Sequence, residues 1–192
     1  MKENLKIAIR FTLVTTIIFG LFYPLSLTGL SQLLFPRQSN GSLITYAGAV
    51  AGSALIGQPF TADKYFHSRP SNAGTGYDAT SSSPSNLGPT NKQLTDRVHA
   101  DVLKLQQENP GQPIPADLVT ASGSGLDPDI SPASATFQIP RVAKSRNITP
   151  EQVQALLQTH LQPRQFSILG EPRVNVLQLN LDLDAKYPVH NP

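Results

Sequence analysis

The sequence predicts an α+β protein in which a single N-terminal transmembrane helix is followed by a small extracytoplasmic α+β domain. An uncharged apolar stretch occupies residues 11–36, and amphipathic helical patterns mix with short strand patterns after it. We therefore divide the 192 residues into a basic cytoplasmic tail (1–10), a transmembrane helix (11–36) and an extracytoplasmic domain (37–192).

The apolar stretch has the length of a membrane span. A bilayer core needs about 20 helical residues, and this stretch supplies 26 without a charge. A cleaved signal peptide has a shorter apolar region and a small-x-small cleavage site, whereas this stretch ends in Phe35 and Pro36. A buried core helix would need a larger protein around it. We expect a retained anchor with a kink at Pro24.

The charges that flank the stretch predict its orientation. Lys2, Lys6 and Arg10 precede it, while Arg37 alone follows closely. Because positive residues stay in the cytoplasm, we expect a single-pass protein of the inner (plasma) membrane with a cytoplasmic N-terminus. The bulk of the chain would then lie on the opposite side from cytoplasmic ATP.

Small and hydroxylated residues within the stretch predict contact with another membrane helix. Thr16 and Gly20 would let a neighbouring backbone approach closely, and Pro24 marks the expected kink. We take these three as candidate partner-binding residues. In the alternative, the hydroxyl groups bond back to carbonyls of their own helix.

Composition excludes several classes of function. Of the 15 Lys and Arg and 13 Asp and Glu, three cations and one anion lie in the first ten residues, which leaves 12 of each. A neutral remainder does not provide the broad basic surface of a nucleic-acid-binding protein. The chain has no cysteine, which excludes disulfides, thiolate metal sites and cysteine nucleophiles.

The first half of the domain contains strand, loop and helix patterns in that order. Residues 38–60 predict two short strands joined near Ala47-Gly48. Residues 68–91 are dense in Ser, Gly, Asn, Thr and Pro, a composition typical of a flexible linker or of a functional loop. An apolar stripe then predicts a helix over residues 92–109.

The second half contains two capped helices and a final strand. Ser131, followed by proline, predicts a helix that Pro140 interrupts or kinks. Thr149 and Gln152 form a capping box that opens the next helix. Residues 173–184 alternate Leu with polar residues and predict a strand with one buried face.

Metal binding is not expected. The histidines are at least 30 residues apart, and no two are spaced as i and i+4. They are His67, His99, His160 and His190. Asp127 and Asp129 provide two carboxylates but lack the other ligands of a calcium loop. We predict no metal and no cofactor in this chain.

One enzymatic alternative remains open, a serine hydrolase anchored outside the membrane. It would use Ser122, Ser124 or a serine of 81–83, with His67 as base and an acid such as Asp78. The sequence lacks the Gly-x-Ser-x-Gly nucleophile elbow, and serines in such surroundings are mostly turn residues.

Eight collinear segments, spread over nearly the whole chain, together resemble one protein family. They are Tyr23-Pro24-Leu25, Gly41-Ser42-Leu43-Ile44, GSALIGQPF (52–60), YFHSRPS (65–71), SNLGPTN (85–91), SGLDPDISP (124–132), PRVAKSRNI (140–148) and LGEPRVNVLQLNLDL (169–183). The set is similar to the KdpC family, the C subunits of the bacterial high-affinity potassium-transporting Kdp P-type ATPases. The chain departs from the family at Ser83-Pro84, where two glycines are usual, and at Asp129, where His is expected.

The resemblance implies a noncatalytic subunit of an ATP-driven potassium uptake complex. Its implied partners are a potassium-channel-like subunit, a P-type ATPase subunit and a small helical subunit, with membrane lipid around the span. The ATPase subunit would bind ATP and Mg, and this chain would raise ATP affinity only indirectly, through its helix or through the stability of the assembly. Assembly is favoured over a role in cation entry, because a neutral domain does not concentrate cations strongly.

We expect the loop at 68–91 and the residues before it to dock on a partner. Aromatic and cationic side chains provide anchors in an adaptable segment. The candidate residues here are Tyr65, Phe66, His67, Arg69, Tyr77 and Asn86. In the alternative, the segment is an ordinary solvent loop.

Overall fold

The computed structural model describes residues 1–189 and separates into two compact units. The first ends at Leu43 and the second begins at Ile44. The α+β class is confirmed, with one long N-terminal apolar helix followed by a small α+β domain.

The first unit is a helical run from Lys2 to Leu34 that is long and apolar enough to cross a membrane. It comprises α1 (Lys2–Thr15), a π-helical stretch (Thr16–Phe22) and α2 (Tyr23–Leu34), and a short α3 (Pro36–Ser39) follows. The amide of Tyr23 donates to the carbonyl of Ile18, five residues back. This wider turn lies directly before Pro24, where the proline ring would otherwise press on the preceding turn. The helical run thus has π-helical turns directly before Pro24, and the kink expected at that residue stays a prediction.

The hairpin predicted within residues 38–60 is confirmed. Strand β1 (Leu43–Tyr46) pairs with β2 (Ala49–Ser53). The two turn residues, Ala47 and Gly48, have φ of 49° and 82°. Two successive residues with positive φ suit the right-handed twist of a tight hairpin, and Ala-Gly is where the sequence predicted the turn.

The core lies between three helices and a small antiparallel sheet. The helices are α5 (Pro132–Arg146), α6 (Pro150–Thr159) and α7 (Val176–Lys186). The sheet has the order β3 (Asp129–Ile130), β5 (Arg173–Asn175), β4 (Leu161–Gln162). Val174, at its centre, pairs with Ile130 on one side and Leu161 on the other. Burial of each large core side chain stabilises the fold by about 1.5–3 kcal/mol.

The strand predicted over residues 173–184 is wrong. Only β5 is extended there, and the chain turns into α7 after Asn175, whose side chain accepts the amide of Gln178 at 3.1 Å. Val176, Leu179 and Leu183 are buried, at spacings of three and four residues. A run of alternating leucines satisfies this helical spacing as well as the strand spacing, and the asparagine cap selects the helix.

Both predicted helix caps are confirmed. The Ser131 hydroxyl accepts the amide of Ser134 at 3.0 Å, and Thr149 and Gln152 form a reciprocal capping box. Helix α5 continues through Pro140, so the proline does not interrupt the helix, and the alternative of a kink stays a prediction. Pro140 and Thr136 are exposed, so water can reach the Thr136 carbonyl that loses its helical donor.

The helix predicted over residues 92–109 is confirmed as α4 (Lys92–Glu108), but its apolar stripe is only half-buried. Polar contacts attach its C-terminal end to α5. Glu108 accepts from Arg141 at 2.8 Å, and the Asn109 amide donates to the carbonyl of Phe137 at 3.0 Å. A 3-10 turn (Ala116–Leu118) lies between α4 and β3.

Candidate partner-binding site

The start of the candidate docking segment is held by the buried side chain of Arg146. Its guanidinium donates to the carbonyls of Lys64 (2.6 Å) and Tyr187 (3.0 Å) and to the Asp184 carboxylate (2.7 Å). It also lies 5.2 Å from the ring centre of Tyr65, whose hydroxyl donates to Asp184 at 2.8 Å. Burial, followed by the hydrogen bond to Asp184, raises the pKa of Tyr65.

Two buried amides clamp the next two residues. Asn180 accepts the amide of Phe66 at 2.8 Å and donates to its carbonyl at 2.9 Å. Gln138 makes the same pair of bonds with His67, at 2.8 and 3.1 Å. Phe66 is 0% exposed and belongs to the core cluster. Its side chain therefore supports the fold, and its proposed part in docking stays a prediction.

The His67 ring lies at the edge of a cavity of about 230 Å³ that α4 residues also line. Its Nε2 faces the carbonyl of Ala62 at 3.2 Å. Burial, followed by the positive charge of Arg141, lowers the pKa of His67, which favours the neutral ring. Arg141 itself binds the carbonyls of Asp63 and Tyr65, so it too fixes the path of this segment.

The side chains of Arg69 and Tyr77 also make their contacts within the domain. Arg69 forms an ion pair with Asp127 at 3.0 Å and contacts Thr120. The Tyr77 hydroxyl donates to the Arg69 carbonyl, and its amide donates to the Ser71 hydroxyl at 2.8 Å. Burial raises the pKa of Tyr77 to about 12. Both side chains thus fold the segment onto itself and onto the chain around residue 120.

The loop at 68–91 is tied to a second turn of the domain. The amide of Ser83 and the hydroxyl of Ser82 both donate to the carbonyl of Ser124, at 3.0 and 2.9 Å. A Cβ on Gly125, whose φ is 67°, would lie 2.6 Å from the Ser83 carbonyl oxygen. A larger residue does not fit there, so the close approach requires glycine. Asn86 follows the serines that bond to Ser124 and is exposed, with φ of 52°.

The candidate residues of the helical run follow one another along it. Thr16 and Gly20 lie in the π-helical stretch, and Pro24 begins the turn after it. A Cβ on Gly20 would meet the Thr16 methyl group at an ordinary 3.7 Å, so packing within the run does not require glycine there. The hydroxyl of Thr15 donates to the carbonyl of Phe11 at 2.8 Å, which is the back-bonding that we considered as the alternative.

The groups proposed for hydrolase or metal chemistry have other contacts. The hydroxyls of Ser122 and Ser124 lie 3.4 Å apart, and Ser124 accepts the amide of Leu126. His67 faces the Ala62 carbonyl, and Asp78 accepts from Thr80. Within residues 1–189, no group of three His, Asp or Glu side chains converges to hold a metal. His190 lies outside the described residues.

The sequence reasoning missed two features. It did not identify Arg146, Gln138 and Asn180 as the groups that hold the candidate segment, because their partners are 71 to 114 residues away in the chain. It also missed the exposed apolar loop between β4 and β5, which is defined here as residues 164–171. A signal for that loop exists, since Phe, Ile and Leu stand between proline and glycine without a helical or strand period.

Comparison with known proteins identifies the family. The family model described as KdpC, the c chain of the K+-transporting ATPase, matches residues 5–185. The potassium-transporting ATPase KdpC subunit of Koribacter versatilis is 53% identical over 192 residues and covers 100% of both chains. That of Caulobacter vibrioides is 54% identical over 189 residues, which are 98% of this chain and 96% of the relative. That of Rhodospirillum rubrum is 53% identical over 191 residues, 98% and 99% respectively. The resemblance seen in the sequence is confirmed, and the chain belongs to the KdpC family.

Proposed function

We propose that this chain is a noncatalytic subunit of a potassium-transporting ATPase and that it assembles and stabilises the channel-like and ATPase subunits. The observation that carries this proposal is the family match over residues 5–185, which includes both the helical run and the domain. Relatives that align over their whole length bear the name of a potassium-transporting ATPase subunit. The polar side chains of the candidate docking segment bind backbone groups and one another within the domain. They therefore shape the segment and are not arranged as a catalytic group, which supports a noncatalytic role for the chain.

The proposed topology is a single span with the N-terminus in the cytoplasm. Residues 11–36 would cross the inner membrane, and residues 37–192 would form the extracytoplasmic domain. The helical run from Lys2 to Leu34, which is long and apolar enough to cross a membrane, supports the span, and the three cations before residue 11 support the orientation.

The proposed partners are a potassium-channel-like subunit, a P-type ATPase subunit and a small helical subunit. ATP and Mg would be bound by the ATPase subunit, with no cofactor in this chain. In the proposed topology, only about ten residues of this chain share the compartment of ATP. An effect on ATP affinity would therefore require that the chain bind one state of the complex more tightly than another.

Within the docking segment, the proposed roles divide by exposure. Tyr65, His67, Arg69 and Tyr77 shape the segment through the contacts described above, and exposed residues such as Asn86 would meet the partner. In the membrane, Thr16, Gly20 and Pro24 would line the contact with a partner helix.

Co-purification from membranes tests the proposal. The full-length chain, carrying an affinity tag, is co-expressed with the other subunits and recovered in mild detergent. We expect recovery of the channel-like and ATPase subunits, and a loss of potassium-stimulated ATP hydrolysis when this chain is omitted. Unchanged hydrolysis by a complex that lacks the chain would contradict the proposal. The purified chain alone should not react stoichiometrically with a serine-directed probe; saturation of one serine would favour the hydrolase alternative.

A further inference from the structure

The carbonyl of Phe19, in the π-helical stretch of the helical run, has no backbone donor in either helical register. In an α-helix it would accept the amide of Tyr23, but that amide donates to the carbonyl of Ile18, five residues back. In the π-helical register it would accept from residue 24, which is proline and has no N–H. The wide turn before Pro24 therefore leaves one carbonyl oxygen without its helical partner.

Side chains of the run do not replace the missing donor. The hydroxyl of Thr15 donates to the carbonyls of Phe11 and Thr12, one turn away. Within residues 1–189, no side chain donates a hydrogen bond to the Phe19 carbonyl. A donor for this oxygen has to come from outside the helical run.

The position of this carbonyl makes the missing bond costly. In the proposed topology, residue 19 lies about 12 Å along the helix from residue 11, where the apolar stretch begins. That depth is inside a hydrocarbon core of about 30 Å, which holds no water and whose lipid tails carry no donor. Because an unsatisfied carbonyl is unfavourable in hydrocarbon, it favours a neighbour that carries an O–H or N–H group.

Gly20, which shares a peptide bond with Phe19, provides the space for such a neighbour. A Cβ at Gly20 would meet the Thr16 methyl group at an ordinary 3.7 Å, so packing within the run does not call for glycine. A residue without a side chain does let the backbone of a second helix come close. Hydroxyl and amide side chains of that helix are then within reach of the carbonyl oxygen, and such groups form hydrogen bonds between membrane helices.

We infer that the Phe19 carbonyl accepts a hydrogen bond from a hydroxyl or amide side chain on a membrane helix of another subunit, which packs against Gly20. The inference rests on the proposed function, since it requires both the membrane span and a partner within the membrane. It goes beyond that function by assigning the chemistry of the contact. This chain supplies a backbone acceptor, and the partner helix supplies the donor.

Solid-state NMR observes this single carbonyl in the assembled complex. Phe19-Gly20 is the only Phe-Gly pair in the sequence, so a full-length chain labelled with carbonyl-¹³C phenylalanine and ¹⁵N glycine contains one directly bonded ¹³C–¹⁵N pair. Acceptance of a hydrogen bond moves a carbonyl ¹³C resonance downfield. We expect this shift when the labelled chain in lipid bilayers is assembled with the other subunits, which are left unlabelled.

The carbonyl of Phe22 is the matched control. Phe22-Tyr23 is the only Phe-Tyr pair, so the same labelled phenylalanine with ¹⁵N tyrosine selects it. Its helical donors in the two registers, the amides of Ser26 and Leu27, are both present, so its resonance should stay in place on assembly. A Phe19 shift no larger than that of Phe22 would overturn the inference. A shift already complete in the isolated chain would also overturn it, because water or a second copy of the chain would then be the donor.

A substitution measures how much the close approach contributes. Gly20→Leu keeps the helix but separates the two backbones, so it should weaken subunit binding about threefold to thirtyfold, the range expected for loss of one hydrogen bond between membrane helices. Gly29→Leu is the control, because Gly29 lies in the same run and a Cβ there would have no neighbour within 4 Å. The control should leave binding unchanged, and circular dichroism should show both variants to be as helical as wild type. Equal binding by Gly20→Leu and wild type would contradict the close approach.

The outcomes separate this inference from the proposed function. If the wild-type chain recovers its partners while the Phe19 resonance does not move, the hydrogen bond is refuted and the proposed function stands. If the wild-type chain recovers no partner, the proposed function itself fails.

Discussion

Replacement of Arg146 by Met should destabilise the domain more than any exposed substitution. The Arg146 side chain is 0% exposed and holds two backbone carbonyls, the Asp184 carboxylate and the ring of Tyr65. Methionine has a similar length and fills much of the space, so the change removes the charge and donors with little change in volume.

The magnitude follows from the groups left behind. Asp184 would lose its cation while its side chain stays only 28% exposed, and the carbonyls of Lys64 and Tyr187 would lose their donor. Removal of one partner of a buried ion pair costs about 3–5 kcal/mol. A domain of this size has about 5–15 kcal/mol in total, and each kcal/mol lowers its melting temperature by about 2–4 °C. We expect the melting temperature to fall by roughly 6–20 °C.

Thermal unfolding of the full-length protein in detergent, followed by circular dichroism, measures this fall. Lys144→Met is the matched control, because Lys144 lies on the same helix and is exposed. The control should stay within about 0.5 kcal/mol of wild type. A fall of less than 2 °C for Arg146→Met would refute the reasoning that the pair holds the segment before the loop.

Three further predictions concern the core, a helix cap and pH. Leu183→Ala, at a residue that is 0% exposed, should lower the free energy of unfolding by about 2–5 kcal/mol in urea titrations, because the smaller side chain leaves a cavity. A loss below about 1 kcal/mol would contradict this, since it would mean that neighbouring side chains fill the cavity. Thr149→Ala should cost about 1 kcal/mol in the same assay, because the amide of Gln152 loses its acceptor, and no loss would contradict the capping role. Because the pKa of His67 is lowered from 6.5, the unfolded chain binds the proton more tightly. The stability from its neutral ring is complete above that value and declines as pH falls through the lower folded pKa. His67→Gln should reduce the loss of stability between pH 6.5 and the lower folded pKa of His67. An unchanged dependence of unfolding free energy on pH would show that His67 is not the group responsible.

Local signals in the sequence predicted the elements that local contacts determine. The capping box at Thr149 and the turn at Ala47-Gly48 depend on hydrogen bonds and dihedral angles within four residues, so both could be predicted. The final strand failed because its alternating leucines fit two periods. Asn175, followed three residues later by Gln178, carried a signal for a helix cap that the strand pattern obscured.

The candidate site could be predicted only as a region. Aromatic and cationic residues between 65 and 77 were predicted to anchor a partner, and their contacts within the domain were not predicted. Asp184 lies 119 residues from Tyr65, and Asn180 lies 114 residues from Phe66. No local pattern encodes contacts over such separations, so residues that hold a loop from within resemble residues that bind a partner.

The internal contacts of the loop change how docking there would work. A segment rich in Ser, Gly and Pro predicts a flexible surface that must lose entropy when it binds. Here Tyr77 bonds to Arg69 within the segment and Ser83 bonds to Ser124 outside it, so much of that entropy is already lost on folding. In the proposed docking, exposed residues such as Asn86 would be displayed on a preformed surface, and the side chains beneath them would affect binding through the shape of the loop. By the same reasoning, the proposed docking segment would bind as a preformed surface, which is the property that a subunit needs in order to stabilise one arrangement of its partners over others.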